Sequence, residues 1–214
     1  MRPPFSRRAL WPAWPLLTLL SACATAPERS AYPPLQHAQQ VVVVVTPDWN
    51  ASAGTLRTFA RDADGRWQAA GLETEVSVGR EGSAWGTGLH LPRSDGPVKR
   101  EGDGRAPAGV FALGTTFGYA ATSDTAMPYQ AMDEHDYCID VADSPHYNRI
   151  VDVREVGAAA IEGTTEPMRR DLHLDGDPRY ELGLVIQHNP ARRAGGGSCI
   201  FAHLWLAPGG ATAG

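Results

Sequence analysis

Three reactive side chains gather toward the C-terminal end of the sequence: His188, Cys199 and His203. An imidazole within hydrogen-bond reach of a cysteine lowers the thiol pKa and generates a thiolate, the nucleophile of covalent acyl transfer. If residues 198–205 (SCIFAHLW) form a strand, Cys199, Phe201, His203 and Trp205 share one face. Four residues at about 3.3 Å each then put Cys199 and His203 roughly 13 Å apart, too far to hydrogen-bond. His188 is the better-placed partner for Cys199: a hairpin of 183–188 on 199–205 in a symmetric register sets 188 opposite 199 and 184 opposite 203. The bland readings stand beside this one. Cys199, followed by Ile200 and Phe201, suits a small buried hydrophobe, and His188 suits a hydrogen-bonded structural histidine. A zinc site built from His188, Cys199 and His203 lacks a fourth ligand and tight spacing, so no metal is expected.

Other candidates carry less. Trp85, Tyr129, Tyr137 and Tyr147 fit core or groove aromatics, and His135 and His146 lie among polar residues as solvated side chains do. Residues 99–114 (KREGDGRAPAGVFALG) read as loop, turn and strand. As a phosphate cradle that stretch is weak, because no helix and no Lys-Ser/Thr pair follows it. No cofactor is implied.

The elements that must position these groups are mostly strands. VVVVVT (41–46) is a β-branched run typical of a buried strand. Residues 55–71 divide into two strand-like halves around Asp62-Ala63-Asp64-Gly65, a hairpin with Gly at its turn. Further strand-like pieces lie at 73–79, 109–119, 137–141, 149–153, 183–188 and 198–205. The best short helix candidate is TTEPMRRDL (164–172). With 23 Gly and 17 Pro as punctuation, the pattern predicts a mainly β, sandwich or barrel-like domain with short helices. At 214 residues and 43% hydrophobic side chains, the chain can bury one sizeable core.

Residues 1–22 stand apart. Arg2, Arg7 and Arg8 precede a short apolar run, the order of a secretory signal peptide and too short for a membrane span of about 30 Å. Leu20-Ser21-Ala22-Cys23 resembles a bacterial lipobox, which implies a lipid on Cys23, a periplasmic location and, with Ala24 and no acid after the cysteine, the outer membrane. Residues 23–40 then read as the lipidated Cys and a flexible tether, and 41–214 as the folded domain. Removing 1–22 takes the net charge from −5 to −8. An acidic protein whose single lysine is Lys99 is a poor nucleic-acid binder. Beyond Cys23 only Cys138 and Cys199 remain, too few for a disulfide scaffold, and their pairing is left open by the sequence.

Taken in order, VKREGDGRAPAGVFALG, MPYQ, YCIDVADSPHYNRIVD, TTEPMRR, GLVIQHN, GGGSCIFAHLW and PGGATAG resemble the L,D-transpeptidase (YkuD-type) catalytic domain, particularly its branch with a GSCIFLH signature. The likeness spans residues 41–214. It implies a β-rich fold and a cysteine enzyme acting on peptidoglycan stem peptides through a thioester that an amine resolves. His203 matches the family's histidine, the base. Thr212, Ala213 and Gly214 match the three positions before the nucleophile in a Ser/Thr-x-Gly-Cys motif, and the sequence ends there. On this alignment Cys199 is an upstream residue and not the catalytic thiol, and His188 has no assigned family role. The chain is therefore expected to be a C-terminally incomplete domain, inactive as written. Two alternatives remain: a non-catalytic peptidoglycan-binding lipoprotein, and a hydrolase using Cys199 with His188.

Overall fold

A computed structural model describes residues 33–168, 171 and 176–214. Residues 1–22, expected to be a signal peptide, and Cys23 lie outside the described residues. From Pro33 onward the chain forms one compact unit, mainly β as expected. Among the described residues no helix is long and apolar enough to cross a membrane.

The stretch assigned to a tether is ordered in its last part. Pro33–Leu35 makes a 3-10 turn, and the Arg61 guanidinium donates to the carbonyls of Leu35 and Ala38 at 3.1 and 2.8 Å. The chain then enters β1 (Gln40–Val45), which pairs antiparallel with β2 (Ala53–Arg61), and β2 pairs with β3 (Trp67–Ser77). The expected hairpin is present. Asp62 Oδ1 accepts from the Asp64 and Arg66 amides, and Gly65 at φ +74° supplies the left-handed turn residue.

β1 is not buried, contrary to the reading of its five valines. Val42, Val44 and Val45 are 43, 45 and 56% exposed. Restricted χ1 torsions make a valine run extended whatever covers it, and β1 is the edge of a three-stranded sheet.

β4 (Ser83–Trp85) and β5 (Ala106–Ala108) pair in parallel. β6 (Leu113–Gly118) runs parallel to β7 (Tyr129–Ala131). β8 (Asp136–Cys138) lies between β9 (Ile150–Asp152) and β10 (Glu166–Pro167), with the four-residue helix α1 (Val153–Val156) after β9. β11 (Leu182–Ile186) and β12 (Phe201–His203) complete the sheet of β6 in the order β12-β11-β6-β7.

The expected helix at 164–172 is instead β10 at its described start, because side chains hold that backbone extended. The Thr164 hydroxyl donates to Cys138 O, and the Thr165 amide donates to the Asp140 carboxylate. Pro167 has no N–H for a helix. Residues 169, 170 and 172 of that stretch lie outside the described residues.

Phe117, Tyr119, Met132, Cys138, Met168 and Tyr180 form the core, with Ile150, Val185, Cys199 and Phe201 packed on it. A disulfide joins Cys138 of β8 to Cys199, just before β12. It ties the core to the segment that leads into His203.

Candidate functional site

His203 ends β12 and lies opposite Gly183 of β11, with Ala202 opposite Leu184 and Phe201 opposite Val185. The symmetric register expected from sequence put 184 opposite 203, so the observed pairing is slipped by one. The intervening loop is held by contacts far away in sequence, and loop length alone does not set its register. Nor do residues 198–205 make one strand: β12 spans only three residues, and Cys199 sits at φ +56°. The 13 Å estimate for Cys199 and His203 assumed a continuous strand and does not apply.

The His203 imidazole has a defined tautomer. Its Nδ1 lies 2.7 Å from the carbonyl oxygen of Leu204. A carbonyl only accepts, so Nδ1 carries the proton and donates. In the neutral ring Nε2 then bears the lone pair, and it makes no hydrogen bond to the described residues. Burial is the largest influence on this group and pushes its pKa below the usual histidine value, with the nearby Arg179 charge acting the same way. The Leu204 carbonyl and Asp177 pull in the opposite direction. The ring is therefore neutral near pH 7, the form a general base needs.

Tyr180 faces this imidazole, ring centroids 6.0 Å apart at 50°. It is 5% exposed and its hydroxyl donates to Glu166 Oε1. Burial first, and Asp140 second, push the Glu166 carboxyl up to about 7, against the attraction of Arg179. Arg179 pairs with Asp177 at 2.6 Å. Glu166, Tyr180, Asp177 and Arg179 escaped the sequence reading, since none falls in a chemical motif and they meet His203 only through the fold. The weak signal present was the acid beside Pro in TTEPMRR.

His188 is 2% exposed and both its nitrogens are engaged. Nδ1 accepts from the Thr87 amide at 3.2 Å, and Nε2 therefore donates to Gly196 O at 2.8 Å. Burial is the main reason its pKa lies below the ordinary value. Gly197, at φ +96°, passes so close that a Cβ there would lie 2.9 Å from His188 Nε2. The Asn148 amide donates to the carbonyls of His188 and Asn189 and accepts from the Cys199 N–H. This is the hydrogen-bonded structural histidine of the blander reading, closing the 188–199 loop.

Cys199 is bonded to Cys138, with Cα atoms 5.9 Å apart. In this state it has no thiol to ionise or to ligate a metal. His188, Cys199 and His203 are thus engaged separately and form no shared zinc site.

Thr212 runs parallel to Gly79, its amide donating to Val78 O and its carbonyl accepting from the Arg80 amide. Gly214, at φ +112°, is wedged against the Gly104–Arg105 backbone. A Cβ there would come within 2.6 Å of Arg105 N and 2.7 Å of Arg105 O. Arg105 is itself anchored, its guanidinium donating to the carbonyls of Trp49 and Ser83 and to Asn50 Oδ1. The KREGDGR segment is thereby a bed for residues 212–214 rather than a phosphate cradle.

One further group of metal-ligand types, Asp133, Glu134 and His135, is partly solvated. Asp133 is already paired with Arg154 at 2.6 Å. Comparison of the chain with protein-family models, with curated proteins and with solved structures found no match.

Proposed function

We propose that this domain is the base-bearing part of an L,D-transpeptidase-like acyl-transfer site acting on peptidoglycan stem peptides, held in the periplasm by a lipid on Cys23, at the outer membrane. The observation that carries the reading is the His203 tautomer: Nδ1–H is spent on the Leu204 carbonyl at 2.7 Å, leaving a neutral ring whose Nε2 makes no hydrogen bond to the described residues. Thr212 and Gly214, held on the Gly79 and Arg105 backbones, stand at the motif positions that the resemblance places before the nucleophile.

In this reading a thiol placed after Gly214 gives its proton to His203 Nε2. The thiolate attacks the stem-peptide carbonyl, and backbone N–H groups hold the oxyanion. The C–N bond to the terminal D-residue breaks, and the departing amine takes the proton from the imidazolium. An acceptor amine then attacks the thioester and loses a proton to Nε2. The C–S bond breaks and the thiolate is restored. None of the three cysteines supplies that thiol: Cys138 and Cys199 are joined, and Cys23 is assigned to lipidation. The hydrolase alternative built on Cys199 and His188 has neither a thiol nor an open imidazole nitrogen in this state.

The test compares the 214-residue chain with one extended by a cysteine after Gly214, each incubated with a carbapenem or a tetrapeptide stem and weighed by mass spectrometry. The 214-residue chain is expected to stay unmodified. The extended chain is expected to acylate, and His203→Ala in it should slow acylation by about 10²-fold or more. Acylation of the 214-residue chain at Cys199, or a folded extended chain that never acylates, would overturn the reading. Binding of sacculi without acylation by either chain would leave the non-catalytic lipoprotein.

A further inference from the structure

The general base of an acyl transfer must be held as well as present, and one contact that holds the His203 ring is its bond to the Leu204 carbonyl. A second contact comes from Tyr180, whose ring stands 6.0 Å from the imidazole, centroid to centroid. Tyr180 cannot drift. It is 5% exposed, its other flank meets Phe117 of β6 with centroids 6.4 Å apart, and its hydroxyl is tied to Glu166 of β10. Glu166 is in turn fixed by strand pairing, since it lies opposite Cys138 of β8. Cys138 carries the disulfide to Cys199, four residues before His203. The imidazole is thereby gripped from both directions: along its own strand through Cys199, and across the core through Tyr180 and Glu166.

We propose that Tyr180 is the positioning residue for His203 and that Glu166, through its hydrogen bond to the Tyr180 hydroxyl, is what holds Tyr180 in place. The functional meaning rests on His203 as the base; the geometric claim does not. An aromatic ring packed on an imidazole limits rotation about χ1 and χ2, so the Nδ1–H···O=C bond to Leu204 keeps its alignment and Nε2 keeps its aim. Phe at 180 preserves the ring but loses the tie to Glu166. Gln at 166 preserves an acceptor for the hydroxyl but cannot ionise. Leu at 166 removes the acceptor. Arg179, paired with Asp177 and with its guanidinium 6.0 Å from the Tyr180 ring centroid, is left in place in every one of these variants.

The test is the ¹⁵N signature of the His203 ring in the full chain, assigned by its loss in His203→Gln. Wild type should show two well-separated nitrogens at pH 7.5, one protonated at Nδ1 and one lone-pair-bearing at Nε2. Tyr180→Phe and Glu166→Leu should bring the two shifts toward each other as the tautomers mix. Glu166→Gln should retain the wild-type separation. Melting curves and an intact disulfide verify the fold, and if Tyr180→Phe does not fold, the Glu166→Leu and Glu166→Gln pair decides alone. Identical ring shifts in wild type, Tyr180→Phe and Glu166→Leu, all folded, would overturn the proposal, as would equal disturbance by Gln and Leu at 166. A purely structural role for Tyr180 would move the melting temperature and not the tautomer.

Acylation separates this proposal from the functional reading. In the chain extended by a cysteine after Gly214, Tyr180→Phe should slow acylation by about 10-fold or more, since misplacement of a reacting group is costly in rate. If the extended wild type never acylates while the ring shifts respond as stated, the transpeptidase reading fails and the positioning role stands. If it acylates and the ring shifts ignore every variant, the reverse holds.

Discussion

Reduction of the Cys138–Cys199 bond is the most informative perturbation of this fold, and its size follows from the topology. The two cysteines are 61 residues apart in sequence. The enclosed segment carries β9, α1, β10 and β11, with Met168 and Tyr180 of the core. Cross-linking removes chain entropy from the unfolded ensemble of about 2.1 + 1.5R ln n cal/mol/K; with n near 61 this is about 14 cal/mol/K, or about 4 kcal/mol at 25 °C. Cys138 is 2% exposed, so loss of packing adds to the cost when both cysteines become alanine. For a domain of this length each kcal/mol is worth about 2–4 °C, so the melting temperature should fall by about 8–16 °C. Since domains are stable by only about 5–15 kcal/mol, the loss is a large fraction of the total. The assay is guanidinium unfolding of the chain with and without reductant, and of the double variant Cys138→Ala/Cys199→Ala, with thiols alkylated in denaturant and counted by mass. A loss below about 1 kcal/mol in both, or alkylation of Cys138 and Cys199 without reductant, would show that this bond does not stabilise the fold as stated.

Other expected outcomes are more local. His188→Leu strands the Thr87 N–H and the Gly196 carbonyl in a buried site, and should destabilise by about 2–5 kcal/mol in denaturant melts. Gly214→Ala places a Cβ 2.6 Å from Arg105 N at φ +112°, so residues 212–214 should lift off their bed. Hydrogen exchange at the Arg80 and Thr212 amides, which the docking protects, should then speed up at least about 10-fold. Glu166 has a folded-state pKa of about 7, above its ordinary value. Between about pH 5 and 7 the folded state therefore binds a proton that the unfolded state has released, and stability falls as pH rises through that window. Glu166→Gln should abolish that fall and gain about 2–3 kcal/mol on wild type by pH 8, measured by denaturant unfolding across pH. A pH-independent difference between the two proteins would count against the burial of that carboxyl.

Local chemistry made much of the architecture legible. β-branched residues and alternation gave the strand pieces around 41–46, 109–119, 149–153 and 183–188. Asp62 and Gly65 encode their own turn, since an Asx side chain and a positive φ are properties of those residues. The valines of β1 were misjudged because strand propensity reports torsional fit and says nothing of what covers the strand. The Thr164–Pro167 segment was misjudged because Asp140 and Cys138, some 25 residues earlier, supply the partners that hold it extended.

The candidate site divides along the same line. The resemblance to the L,D-transpeptidase motif is what pointed to His203, Thr212 and Gly214, and the residues by themselves left Cys199 and His188 each with two roles. Only the tertiary structure joins Cys199 to Cys138 and spends both nitrogens of His188 on Thr87 and Gly196. Only it packs Tyr180 on His203, ties Tyr180 to Glu166 and sets the register of β11 and β12. Each of these depends on a contact between residues far apart in the chain. Such contacts are selected by packing and hydrogen-bond satisfaction over the whole core, and no local pattern encodes them.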